Sequence, residues 1–202
     1  MRESDDLPMS DAVAPPIEIT LPASGEELAS LRAGDEVLLT GPVYTARDAT
    51  HERLVTALDA TGVVPFGLQG QTLFYAGPTP PAEGRPAGAV GPTTASRMDA
   101  FTPRLMGAGI VATIGKGRRS TEVRDACMRY GAVYFAAVGG SAALLATRVR
   151  SAEPVAYEDL GTEALVRLML VDFPVVVAID SVGTDLYETA PKEWRERMEA
   201  GA

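Results

Sequence analysis

Cysteine occurs once in this chain, at Cys127. No internal disulfide can form, and this chain's thiols alone cannot hold an iron–sulfur cluster or a structural zinc ion, which need several such ligands. Histidine is equally scarce, so any imidazole chemistry falls on His51. Lysine appears only at Lys116 and Lys192, and the other cations are arginines. No apolar run reaches the roughly 18 residues that would span a bilayer, and the acidic amino terminus lacks the basic start and apolar centre of a secretion signal. A cytoplasmic location is therefore expected. The net charge of -9 argues against a nucleic-acid or anionic-membrane surface, although an acidic protein can still carry a local cationic pocket.

What is present is an ordinary globular composition, 46% hydrophobic over 202 residues, enough for one domain with a proper core. Residues 1–16 are acidic and proline-bearing, which suits a flexible tail, and the domain is expected over 17–202. Residues 17–21 alternate apolar and polar as an edge strand does, and Ser24 can cap a short helix over 24–31. Residues 36–40 read as a buried strand ending in Gly41-Pro42. Leu54, Val55 and Leu58 at helical spacing mark a helix over 47–60, stopped by Gly62. Gly77 to Gly91 should be loop, 102–107 a helix with Pro103 in its first turn, and 110–114 a strand. A helix over 121–130 with Ser120 as cap and Gly131 as stop, a strand over 132–138 and a short helix over 142–146 follow. Residues 163–171 look helical, 175–179 read as a buried strand, and 191–200 as a charged terminal helix carrying Trp194.

Three segments stand out chemically. Arg47 and His51 are four residues apart and, on a helix, would share a face. Gly91-Pro92-Thr93-Thr94-Ala95-Ser96-Arg97-Met98-Asp99 packs hydroxyls, an arginine and a carboxylate behind a proline-rich loop, as ligand loops do, although a hydroxyl-capped helix start would look the same. Lys116 lies between two glycines, where a solvated loop lysine is the plainer alternative. It is not a phosphate loop, because Gly117 stands where such a loop needs serine or threonine. Asp48 is placed to orient His51 or neutralise Arg47, and Asp99 to do the same for Arg97.

In order and spacing, Thr40-Gly41-Pro42, Arg47-Asp48 to His51, the Gly91–Asp99 segment, Gly115-Lys116-Gly117 and Val138-Gly139-Gly140 together resemble the beta subunit, or C-terminal domain, of class I iron–sulfur hydro-lyases, the fumarate and L(+)-tartrate dehydratases. The resemblance runs from about residue 17 to 187. It implies an α/β fold, the swivelling β/β/α domain, closing over an alpha subunit whose cysteines hold a 4Fe-4S cluster, in an alpha2beta2 assembly. None of that cluster would be bound by this chain alone, in keeping with its lone cysteine. The reaction implied is reversible hydration of a C4 dicarboxylate such as fumarate, with (S)-malate as product, or dehydration of L(+)-tartrate to oxaloacetate. Arg47, Arg97 and Lys116 would bind substrate carboxylates, and Thr93 and His51 are the catalytic candidates. Threonine is intrinsically a poor base: lowering an alcohol pKa by roughly six units requires about 8 kcal/mol of differential stabilisation. A non-catalytic anion-binding regulatory domain is the alternative.

Overall fold

Residues 15–200 are described by the computed structural model. In chain order they form β1 (Ile17–Thr20), α1 (Gly25–Ser30), β2 (Glu36–Thr45), α2 (Asp48–Thr61), β3 (Thr72–Phe74), α3 (Thr102–Gly107), β4 (Ala112–Gly115), α4 (Thr121–Tyr130), β5 (Val133–Ala136), α5 (Ala142–Ala146), β6 (Val149–Ala156), β7 (Leu165–Ile179) and α6 (Leu186–Glu199). The chain is therefore α/β. Most of the expected tail, residues 1–14, lies outside the described residues.

Strands β1 to β5 run parallel in sequence order, and β7 lies antiparallel to both β2 and β5. That double pairing closes β2-β3-β4-β5-β7 into a barrel, with β1 beside β2 and β6 beside β7. Side chains alternate across the strands. Phe74, Phe135, Phe173 and Val177 point into one core, where Phe74 and Phe173 meet edge to face at 5.4 Å. Their neighbours Leu73, Tyr75 and Tyr134 enter a second core with Leu54 and Val55 of α2, Leu105 and Met106 of α3, and Val123 and Cys127 of α4. Burying both faces explains the near-continuous apolar strands.

Local signals hold where they are short-range. Ser24 forms a reciprocal capping box with Glu27, its Oγ accepting the Glu27 N–H at 3.2 Å while Glu27 accepts the Ser24 N–H at 2.8 Å. Gly62 and Gly131 end α2 and α4 in the left-handed conformation.

Three boundaries differ from expectation. Residues 163–171 are not helical: β7 runs unbroken through 15 residues, pairing with β2, β5 and β6. Ladder bonds on both edges outweigh the mild helix preference of its Leu, Met and Arg residues. Strand β2 does not stop at Gly41-Pro42 but passes through a register shift between Leu39 and Gly41. Gly41 makes this feasible, with φ at 132° and an added Cβ falling 2.4 Å from the Leu21 carbonyl oxygen. The last helix begins at residue 186 rather than 191, because the Asp185 carboxylate caps it by accepting the Tyr187 N–H at 2.8 Å.

Candidate active site

The singled-out segments all emerge from the carboxyl ends of the parallel strands. Arg47 follows β2, the 91–99 segment follows β3 through the proline-rich loop, and Lys116 follows β4. In parallel sheets this end is where loops from different strands converge and ligands bind.

The loop is bonded onto the strand ends. Thr93 N–H donates to the Tyr75 carbonyl at 2.7 Å, Lys116 N–H to the Thr93 carbonyl at 3.1 Å, and Ala95 N–H to the Lys116 carbonyl at 2.9 Å. Thr93 and Lys116 are thereby locked together through their backbones, although 23 residues separate them in sequence. Only glycine fits at 115, where a Cβ would stand 2.9 Å from both the Ala95 Cβ and the Tyr75 ring. Lys116 then borders a cleft of 470 Å³ with apolar walls that include Val138, Val176, Leu186 and Tyr187.

Arg97 ties this loop to α2. Its Nε and Nη2 reach the Asp48 carboxylate at 2.9 and 2.5 Å, and its Nη1 donates to Thr93 Oγ1 at 3.3 Å. The pair is partly exposed, so its bidentate geometry matters more as orientation than as stability. Asp48 thus serves Arg97 rather than Arg47. Asp99 does not serve Arg97 either: its Oδ1 accepts Arg119 Nε–H at 2.6 Å, and its Oδ2 accepts the Ser120 N–H at 2.7 Å.

Arg119 had no distinguishing mark in the sequence, where it looks like its exposed neighbour Arg118. Its side chain is fully buried, 4.8 Å from the Tyr134 ring centre and 5.2 Å from that of Tyr75. Nη2 donates to Thr102 Oγ1 at 2.8 Å. This buried cation is satisfied by a carboxylate, a hydroxyl and two aromatic faces, as burial of charge requires. It fixes the far end of the 93–99 loop.

Arg47 and His51 do not share a face. Arg47 is the N-cap of α2 with extended backbone, φ -119° and ψ -163°, so helical spacing does not apply to it. Its Nη2 lies 3.3 Å from Glu163 Oε1, a residue that the sequence did not single out. His51 points inward instead. It is completely buried, between Tyr75 at 5.2 Å and Phe101 at 5.9 Å. Nδ1 lies 2.7 Å from the Arg47 carbonyl oxygen, which requires the proton on Nδ1, and Nε2 is buried with no hydrogen-bond partner among the described residues. Burial pushes its pKa down to about 4, opposed in part by the hydrogen bond to the Arg47 carbonyl, while the Arg119 charge lowers it and Asp48 raises it by smaller amounts. The ring is neutral at pH 7 and sealed from the loops, while Arg47, Thr93, Arg97 and Lys116 are brought to one rim. Chemically, that rim joins three cations from three loops to a hydroxyl, and suits an anion with more than one carboxylate.

Comparison with known proteins identifies the family. The family described as Fumarase C-terminus matches residues 3–190. The chain is 35% identical over 164 residues to the anaerobic class I fumarate hydratase of Escherichia coli, a match covering 80% of this chain but 30% of that enzyme. It is 35% identical over 179 residues to a putative L(+)-tartrate dehydratase subunit beta of Methanocaldococcus jannaschii, covering 86% and 92% of the two chains. The L(+)-tartrate dehydratase subunit beta of Escherichia coli is 32% identical over 186 residues, covering 90% and 91%. The chain thus spans about a third of the fumarate hydratases and nearly all of the separate beta subunits.

Proposed function

Because the chain belongs to the Fumarase C-terminus family, we propose that it is the beta subunit of a hydro-lyase that adds water to, or removes it from, a C4 dicarboxylate, with fumarate and (S)-malate as the pair. The observation that carries this is the convergence of Arg47, Thr93, Arg97 and Lys116 at the carboxyl ends of three adjacent parallel strands. The barrel covered by α2, α3 and α4 on one side fits the swivelling β/β/α description.

The residues of this chain do not fit an iron–sulfur cluster. Cys127 is fully buried in α4, and burial pushes its thiol up to about 12, whereas a cluster needs several accessible thiolates. Among the described residues no three His, Cys, Asp or Glu side chains converge. A cluster would then belong to a separate alpha subunit, and the alpha2beta2 assembly is proposed from the family resemblance alone.

This chain's contribution is binding and proton handling. Lys116 and Arg47 take substrate carboxylates, and Arg97 adds its charge to the rim while its Nη1 holds Thr93 Oγ1. Thr93 Oγ1, its own proton lost to solvent before the site closes, takes the proton of the substrate carbon in dehydration and returns it in hydration. An alkoxide is accessible only beside fixed cations in a closed, dry site, which the apolar cleft next to Lys116 supports once a partner covers it. His51, enclosed and of lowered basicity, packs as an inward-facing residue of α2 rather than acting as the base.

The test is anaerobic co-purification with a candidate cluster-bearing alpha subunit, then ultraviolet assay of fumarate formation from malate with tartrate in parallel. Malate turnover that needs both chains and falls at least 100-fold in Thr93→Ala, as loss of a general base does, supports the reading. Turnover of tartrate alone reassigns the substrate. A tight but inactive complex rejects it in favour of an anion-binding regulatory domain.

A further inference from the structure

Helix α2 starts without a cap of its own, since Arg47 at the N-cap position offers no side-chain hydrogen bond to the first turn. The missing acceptor comes from the other end of the chain. Glu163 closes the turn between β6 and β7, and its Oε2 accepts the Ala49 N–H at 2.9 Å. Its backbone carbonyl accepts the Thr50 hydroxyl, and its Oε1 lies 3.3 Å from Arg47 Nη2. One residue caps the helix, pins its first turn and grips the guanidinium.

The turn that presents Glu163 is braced against the same helix. Arg53 of α2 donates to both Asp159 oxygens at 2.8 and 2.5 Å and lies 5.2 Å from the centre of the Tyr157 ring. The backbone passes through two positive-φ residues, Tyr157 at φ 60° and Gly161 at φ 59°, ψ -118°. The latter conformation favours glycine strongly, which ties the path of the turn to that residue.

The grip on Arg47 is one-sided. One Glu163 oxygen accepts the Ala49 N–H, and the other lies nearest to Nη2. The Nη1 edge faces Gly77, where a Cβ would stand 3.0 Å from Nη1 and 3.2 Å from Cδ. Arg97 contrasts with this, because Asp48 already takes both its Nε and its Nη2.

We propose that Glu163 is a positioning residue for Arg47, its carboxylate beside Nη2 fixing where the guanidinium lies on the rim to meet a ligand carboxylate. As a ligand role this rests on the dicarboxylate reading above; as a clamp on Arg47 it does not.

Two measurements separate these. In the assembled enzyme, Glu163→Gln keeps an acceptor for the Ala49 N–H but loses the charge. It is expected to raise the KM for fumarate about tenfold while kcat stays within about twofold, the pattern of lost ground-state binding. Glu163→Asp, which keeps the charge, is expected to restore most of that loss. In an Arg47→Ala background the Glu163→Gln change should add less than about twofold, because the two act as one unit. An unchanged or lower KM, or a full tenfold rise that persists without Arg47, overturns the proposal. In the isolated full-length chain, the Arg47 Nη2 protons should exchange with water more slowly in the wild type and in Glu163→Asp than in Glu163→Gln, and equal exchange in the wild type and Glu163→Gln also overturns it. If the wild-type assembly neither binds nor turns over fumarate, the dicarboxylate reading fails, and the exchange measurement still decides the clamp.

Discussion

Replacing His51 with phenylalanine should make the folded chain less stable at neutral pH and more stable in acid than the wild type. The pKa of the ring is lowered from 6.5 to about 4 on folding, so the unfolded chain takes up the proton first. A group depressed in this way leaves stability intact above its unfolded pKa and erodes it as pH falls toward the folded value. With about 1.4 kcal/mol per tenfold difference, the wild type loses roughly 2 kcal/mol between pH 7 and 5 and roughly 3 kcal/mol by pH 4 from this residue alone. Phenylalanine suits the site between Tyr75 and Phe101 but gives up the hydrogen bond to the Arg47 carbonyl, a cost of about 1 kcal/mol at pH 7. The two stability curves should therefore cross between pH 5 and 6. Urea unfolding followed by far-ultraviolet circular dichroism is the suitable assay, since the only tryptophan, Trp194, is 64% exposed and reports poorly on the core. Curves that stay parallel, or a His51 resonance that titrates near 6.5 in the folded chain, would refute the reasoning.

Other outcomes follow from the same structure. Arg119→Met leaves Asp99 without its buried partner and should cost about 3 kcal/mol, read as a lower urea midpoint at unchanged slope, with a weakened hold on the 93–99 loop. Gly115→Ala forces a methyl group against Ala95 and Tyr75 and should cost about 1–3 kcal/mol while lowering turnover, measured by melting and by the malate assay. Cys127 should resist iodoacetamide at pH 8 in the folded chain and react fully in urea, because its thiol is buried and raised to about 12. Mass spectrometry reads the adduct.

Much of the site was legible in the sequence because loop residues with a chemical task stand out against their surroundings. A hydroxyl and an arginine follow a proline-rich stretch, and a rare lysine lies between glycines. Their supports were not legible. Glu163 lies 116 residues beyond Arg47, inside a segment whose Leu, Met and Arg residues suggest a helix, and only strand pairing puts it at the start of α2. Arg119 is chemically identical to exposed Arg118 until the fold encloses one and leaves out the other. The spacing of Arg47 and His51 implied a shared face, but an N-cap residue has left the helix, so the two diverge.

The sequence by itself determined the α/β class, the Ser24 capping box, the glycine stops of α2 and α4 and the loops that carry charge, because these depend on residues within a turn or two of each other. The tertiary structure alone decided that β7 closes a barrel, that His51 is enclosed while Arg47 faces the loops, and which carboxylate holds which arginine. Those outcomes depend on burial and on partners at least 20 residues apart, which no local pattern encodes.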